Sequence, residues 1–110
     1  MKYWIYLFIA ILSEVIGTMS LQHSVAFTKL LPSIIVIIGY TISFYTLALS
    51  LHYINVGVAY AIWSGIGLLL IVILDYILNK QSYDIASMIG ILFIILGIAI
   101  MNLYSDTLTH

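Results

Sequence analysis

The chain has 110 residues, of which 65% are hydrophobic and 6% charged, where a soluble domain carries about 45–50% apolar and about 25% charged residues. Seven fixed charges (Lys2, Lys29, Lys80, Glu14, Asp75, Asp84 and Asp106), a net charge of -1 and no cysteine exclude an ordinary soluble enzyme, a nucleic-acid binder, a disordered chain and a disulfide framework. An integral membrane protein remains, with the lipid bilayer as its first expected partner and nucleic acid excluded.

Four apolar stretches follow one another at residues 3–21, 30–51, 56–78 and 85–104. Each is near the ~20 residues that a helix needs to cross about 30 Å of hydrocarbon. None alternates polar and apolar as a membrane β-strand does. The expectation is an all-α protein, a single four-helix transmembrane domain over residues 1–110, because a helix satisfies its own backbone hydrogen bonds in lipid. The connectors are short and hold nearly all the charge. Pro32 falls at the expected first position of the second helix, where a missing N–H costs nothing. The tail 105–110 is polar and expected to be mobile.

The first span is expected to be a retained helix and not a signal peptide, since it is long, holds a glutamate and lacks a small-residue cleavage site. Glu14 is its one charge. At 1.5 Å per residue it stands about 17 Å into the span, near the bilayer centre. A carboxylate there costs at least about 2.5–3.5 kcal/mol. No span supplies a lysine or arginine at that depth. The glutamate must therefore be protonated, face water, or hold a cation from outside the protein. An intramembrane acid is functional by default, and a hydrogen bond between helices is the bland alternative. Leu7, Ala10, Ile11, Gly17, Thr18 and Leu21 share its face by spacing. Ala10, Gly17 and Thr18 are small, leaving room beside the carboxylate and for another helix.

In the second span Tyr40 and Ser43 lie three apart. They offer hydroxyls to the same region, with plain packing as the competing reading. Trp4 reads as an interfacial residue that also lies on the Glu14 face. The third span carries GVAYAIWSGIG at 57–67. Tyr60, Trp63, Ser64 and Gly67 share a face. Aromatic rings beside a lone carboxylate suit a bulky organic cation; ordinary aromatic packing is the alternative. Gly65 and Gly67 weaken the helix locally and allow a hinge. The fourth span has no acid. Gly90 and Gly97, on one stripe, suit close helix contact, so it reads as an association helix. The histidines His23, His52 and His110 are scattered without metal-ligand spacing, and no phosphate-binding glycine loop occurs. No metal and no cofactor is expected, and the protein is not expected to be an enzyme.

Four helices enclose little volume, and transporters commonly place the site between two halves of opposed topology. No internal repeat is visible. One lysine on one side of the membrane against two on the other is a very weak orientation bias, so a second, inverted copy can supply the missing half.

The sequence resembles the small multidrug resistance family of bacterial inner-membrane transporters over essentially its whole length. The resemblance rests on AILSEVIGT at 10–18, FTKLLPS at 27–33 and GVAYAIWSGIG at 57–67, with Gly90, Gly97 and Asn102 in agreement. It implies an antiparallel homodimer that exchanges protons for lipophilic or quaternary ammonium cations. Glu14 matches the shared proton and substrate carboxylate. Tyr60 and Trp63 match aromatic substrate contacts, and Tyr40, Ser43 and Trp4 match further pocket positions. The family's guanidinium branch typically has a tryptophan soon after the glutamate and a lysine in the fourth span. Val15 to Thr18 and Met101 to Leu103 here resemble the multidrug branch instead. The departures are Trp4 for tyrosine, Gln22 for lysine, Ala26 for glycine, Asn55 for proline and Asp75 for a neutral residue. Two alternatives stay open: an exporter of a small natural cation such as guanidinium, a polyamine or a betaine, and one subunit of a paired heterodimer.

Overall fold

The computed structural model describes residues 1–106; residues 107–110, and with them His110 and most of the expected mobile tail, lie outside the described residues. Four helices follow in chain order: α1 Lys2–His23, α2 Leu30–Ser50, α3 Val56–Leu78 and α4 Ile85–Tyr104. No strand occurs among the described residues. All four are long and apolar enough to cross a membrane. The chain divides into two compact units, residues 1–53 with α1 and α2, and residues 54–110 with α3 and α4.

In the first unit, α1 buries Leu7, Ala10, Ile11, Val15 and Gly17, while α2 buries Ser33, Val36, Gly39, Ser43 and Ser50. The small residues of this set bring the two backbones close. Pro32 is the third residue of α2 and not the first, because Lys29 caps the helix in an extended conformation and Leu30 begins it. The N–H of that position would also lack a helical acceptor, so the proline breaks no bond.

The turn between α1 and α2 is built on Ser24. Its hydroxyl donates to the Leu21 carbonyl at 2.8 Å and accepts the Phe27 N–H at 3.1 Å. Its own carbonyl accepts the N–H groups of Thr28 and Lys29. Val25, Ala26 and Phe27 take positive φ of 48°, 58° and 64°. Such a left-handed run costs L-residues about 1–2 kcal/mol each.

In the second unit, the α3–α4 turn is fastened from both sides. Tyr83 donates its hydroxyl to Asp75 Oδ2 at 2.5 Å, and Asn79 donates its amide to Asp75 Oδ1 at 2.8 Å. Asp84 caps α4, its side chain accepting the Ser87 N–H at 2.9 Å. That bond holds the Asp84 carboxyl below its ordinary range, and the bond to Asp75 holds the Tyr83 phenol above its own. In α4 only 6% of the apolar window is buried, so this helix presents almost all of its surface outward.

Candidate functional site

The polar centre of the first unit is assembled by two glycines. A Cβ on Gly39 would stand 2.9 Å from the Ser13 carbonyl oxygen and 3.2 Å from Gly17 Cα. Only glycine permits that approach, and it carries the next residue, Tyr40, onto α1. Gly17 faces the Tyr40 ring with the same economy of space. Sequence reasoning missed Gly39, although a glycine in a charge-free span beside a tyrosine was a signal for close helix contact.

Glu14 lies within this crossing, half-buried. Thr18, one helical turn on, donates its hydroxyl to Glu14 Oε1 at 2.7 Å. Thr18 also meets the Tyr40 hydroxyl at 2.8 Å. Beside an ionised Glu14, which only accepts, the single Thr18 proton goes to the carboxylate and Tyr40 must donate to Thr18. The result is a directed chain from Tyr40 to Thr18 to Glu14. Charge-assisted hydrogen bonds of this kind are the stronger ones.

Ser43, one turn beyond Tyr40, is fully buried and donates to the Ala10 carbonyl at 2.7 Å. Its hydroxyl ties α2 to α1 and is not directed at Glu14. Leu7, Ala10, Ile11 and Gly17 are buried, whereas Trp4 and Thr18 keep partial exposure. The fixed positive charges lie at Lys2, Lys29 and Lys80. The one on α1, Lys2, is about 18 Å of helix from Glu14.

In the second unit Tyr60 and Trp63 meet with ring centroids 5.4 Å apart, inclined at 52°. Tyr60 is 60% exposed, so its ring face is open. Ser64 returns its hydroxyl to the Tyr60 carbonyl at 2.8 Å. α3 runs unbroken through Gly65 and Gly67, both buried. Gly65 admits α4, because a Cβ there would collide with Ile98 Cδ1 and press on Ile94 Cγ2. Gly97 opens onto a groove of about 480 Å³ lined also by Ser64, Gly65, Ile94 and Met101. Nothing lies within 4 Å of a Cβ built at Gly90 or Gly97, so both leave free surface on α4. Asp75 takes its hydrogen bonds from Tyr83 and Asn79 and not from Lys80. The Tyr83 contact spans eight residues through a turn, which helix spacing does not reveal.

Residues 2–102 match the sequence profile of the Small Multidrug Resistance protein family. The chain belongs to that family. Over its full length it is 47% identical to all of the quaternary ammonium compound-resistance protein QacE of Escherichia coli. It is 46% identical, again over both full lengths, to the multidrug transporter EmrE of Escherichia coli strain K12. The quaternary ammonium compound-resistance protein QacG of a Staphylococcus strain is 35% identical over 96% of this chain and 98% of its own. Small multidrug resistance proteins are transporters and not enzymes. Family and spans together make this a multi-pass protein of the bacterial inner membrane.

Proposed function

We propose that the chain is a proton-coupled antiporter that exports lipophilic and quaternary ammonium cations, with proton and cation competing for Glu14. The observation that carries this reading is the Glu14 carboxylate itself. It is an acid midway along a membrane-spanning helix, held by the hydroxyl of Thr18, which in turn meets the hydroxyl of Tyr40. Hydroxyls orient a carboxylate and leave its charge in place. A proton or an organic cation each neutralises that charge, so the two exclude one another.

Tyr60 and Trp63 supply the aromatic contacts for the cation, as the family resemblance implies. Such rings attract a desolvated cation by about 2 kcal/mol or more. Tyr40 and Ser43 shape the α2 side, one by a hydroxyl in the Glu14 chain, the other by fastening α2 to Ala10. The working unit is an antiparallel homodimer, with Gly90 and Gly97 at the contact between copies and Gly65 and Gly67 easing the exchange of access. Protonation of Glu14 from the outer side releases the cation; cation binding from the inner side releases the proton. An empty, charged pocket is costly in lipid, which discourages exchange without cargo. The names of the relatives, quaternary ammonium resistance among them, favour bulky cations over guanidinium or polyamines.

Reconstituted vesicles test this directly. With an acidic lumen, purified protein should drive tetraphenylphosphonium into the lumen, and Glu14→Gln should abolish uptake. Uptake of guanidinium in place of tetraphenylphosphonium would overturn the choice of substrate. Uptake undiminished in Glu14→Gln would overturn the mechanism.

A further inference from the structure

A second concave surface lies wholly within the unit of α3 and α4. It is a groove of about 650 Å³ walled by Val72, Tyr76, Ile77, Tyr83 and Met88, among others. Two of its walls are phenol rings and one is a thioether. Tyr76 is 62% exposed and free to present its ring. Tyr83 is the ring whose hydroxyl donates to Asp75. A phenol that donates to a carboxylate keeps its proton, but its O–H bond is polarised, and the electron density gained by the ring makes its face more attractive to a cation. Asp75 lies in the last turn of α3, where the helix macrodipole is already negative. Two of the roughly four acceptor sites on its carboxylate are used, by Tyr83 and Asn79. Neither donor carries charge. The other fixed charges of this turn are Lys80, exposed with a left-handed backbone, and Asp84, engaged with the Ser87 N–H. Apolar walls, soft rings and a carboxylate without a cationic partner in its hydrogen bonds complement one kind of occupant.

We infer that the groove bounded by Tyr76, Tyr83 and Met88, backed by the Asp75 carboxylate, is a second, peripheral site for an amphipathic organic cation at the turn between α3 and α4. Its place near the end of a spanning helix suits a cation held at the membrane surface, its apolar part against Val72 and Ile77 and its charge toward Tyr83 and Asp75. The site takes the substrate class proposed for Glu14, yet its existence does not depend on transport at Glu14.

The test is equilibrium binding of tetraphenylphosphonium to the full-length, detergent-solubilised protein carrying Glu14→Gln, which silences the central carboxylate. Residual binding is expected. Asp75→Asn added to this background should weaken it about tenfold, and Tyr76→Leu, at an exposed position that takes no part in the turn's hydrogen bonds, should weaken it several-fold. Neutral triphenylphosphine oxide should bind far less. Absence of residual binding would overturn the inference. So would residual binding that survives both substitutions, or equal binding of the neutral compound, which would mean simple apolar partition. Displacement by added phosphatidylethanolamine at lipid concentrations normal for a membrane would also overturn it, by making a lipid the occupant. If wild type and Glu14→Gln bind alike and both lose affinity with Asp75→Asn, the Glu14 reading fails and the peripheral site stands.

Discussion

Gly17 lies against the ring of Tyr40: a Cβ at Gly17 would stand 2.8 Å from both Cδ1 and Cε1 of that ring. The ring cannot simply swing aside, because its hydroxyl is engaged with Thr18 at 2.8 Å. Gly17→Ala should therefore displace Tyr40, break the hydroxyl chain to Glu14 and destabilise the first unit by about 1–3 kcal/mol, the usual range for overpacking. Thermal unfolding in detergent reads the stability. Tetraphenylphosphonium affinity reads the chain, and Tyr40→Phe in the wild-type background should reproduce part of its loss.

The Ser43 hydroxyl is buried and bonded across to the Ala10 carbonyl at 2.7 Å. In membrane proteins such interhelical bonds average about 0.6 kcal/mol, reaching about 1.7. Ser43→Ala should destabilise the protein within that range and leave the competition between proton and cation intact. A change in proton release without a change in stability would instead place Ser43 in direct contact with the cargo.

Three successive left-handed residues without a glycine make the α1–α2 turn strained. Ala26, at φ 58°, is the place to relieve it. Ala26→Gly should stabilise the protein by about 1 kcal/mol, the left-handed penalty outweighing the entropy that glycine adds to the unfolded chain. A raised unfolding midpoint in detergent checks this; an unchanged or lowered one contradicts the turn geometry.

The α3–α4 turn gives a pH dependence of defined sign. Asp84 is held below its ordinary range by the Ser87 N–H. Its contribution is complete above the unfolded carboxylate value and is lost as pH falls through the lower folded value. Tyr83 is held above its ordinary range by Asp75, so its contribution is complete at neutral pH and is lost as pH rises through the folded phenol value. Asp84→Ala should flatten the acid limb of a stability profile and Tyr83→Phe the alkaline limb. Asp84→Ala should leave the alkaline limb unchanged, whereas Tyr83→Phe also takes a donor from the Asp75 carboxylate and so changes the acid limb as well.

The helices were legible because each spanning stretch is long, continuous and bounded by the few charges, and Glu14 was legible because it alone breaks the pattern in mid-span. What joins the helices was not. Gly39 acts through a carbonyl on another helix, and Ser43 spends its hydroxyl on the Ala10 backbone. The spacing that placed Tyr40 and Ser43 in one region did not say which of them would reach Thr18. The Ser24 turn adopts a conformation that glycine usually marks, with alanine, valine and phenylalanine in its place. Tyr83 reaches Asp75 across a turn whose direction no periodicity encodes.

The central claim is that a proton and an organic cation compete for Glu14. It is tested most directly by following proton release from unbuffered, detergent-solubilised protein on adding tetraphenylphosphonium, for wild type and Glu14→Gln. The account predicts release from the wild type that declines once the solution is alkaline enough to have stripped the proton already, weaker cation binding in acid, and no release from the variant. A folded wild-type protein that binds the cation without releasing a proton, or a Glu14→Gln protein that releases one as the wild type does, would contradict it.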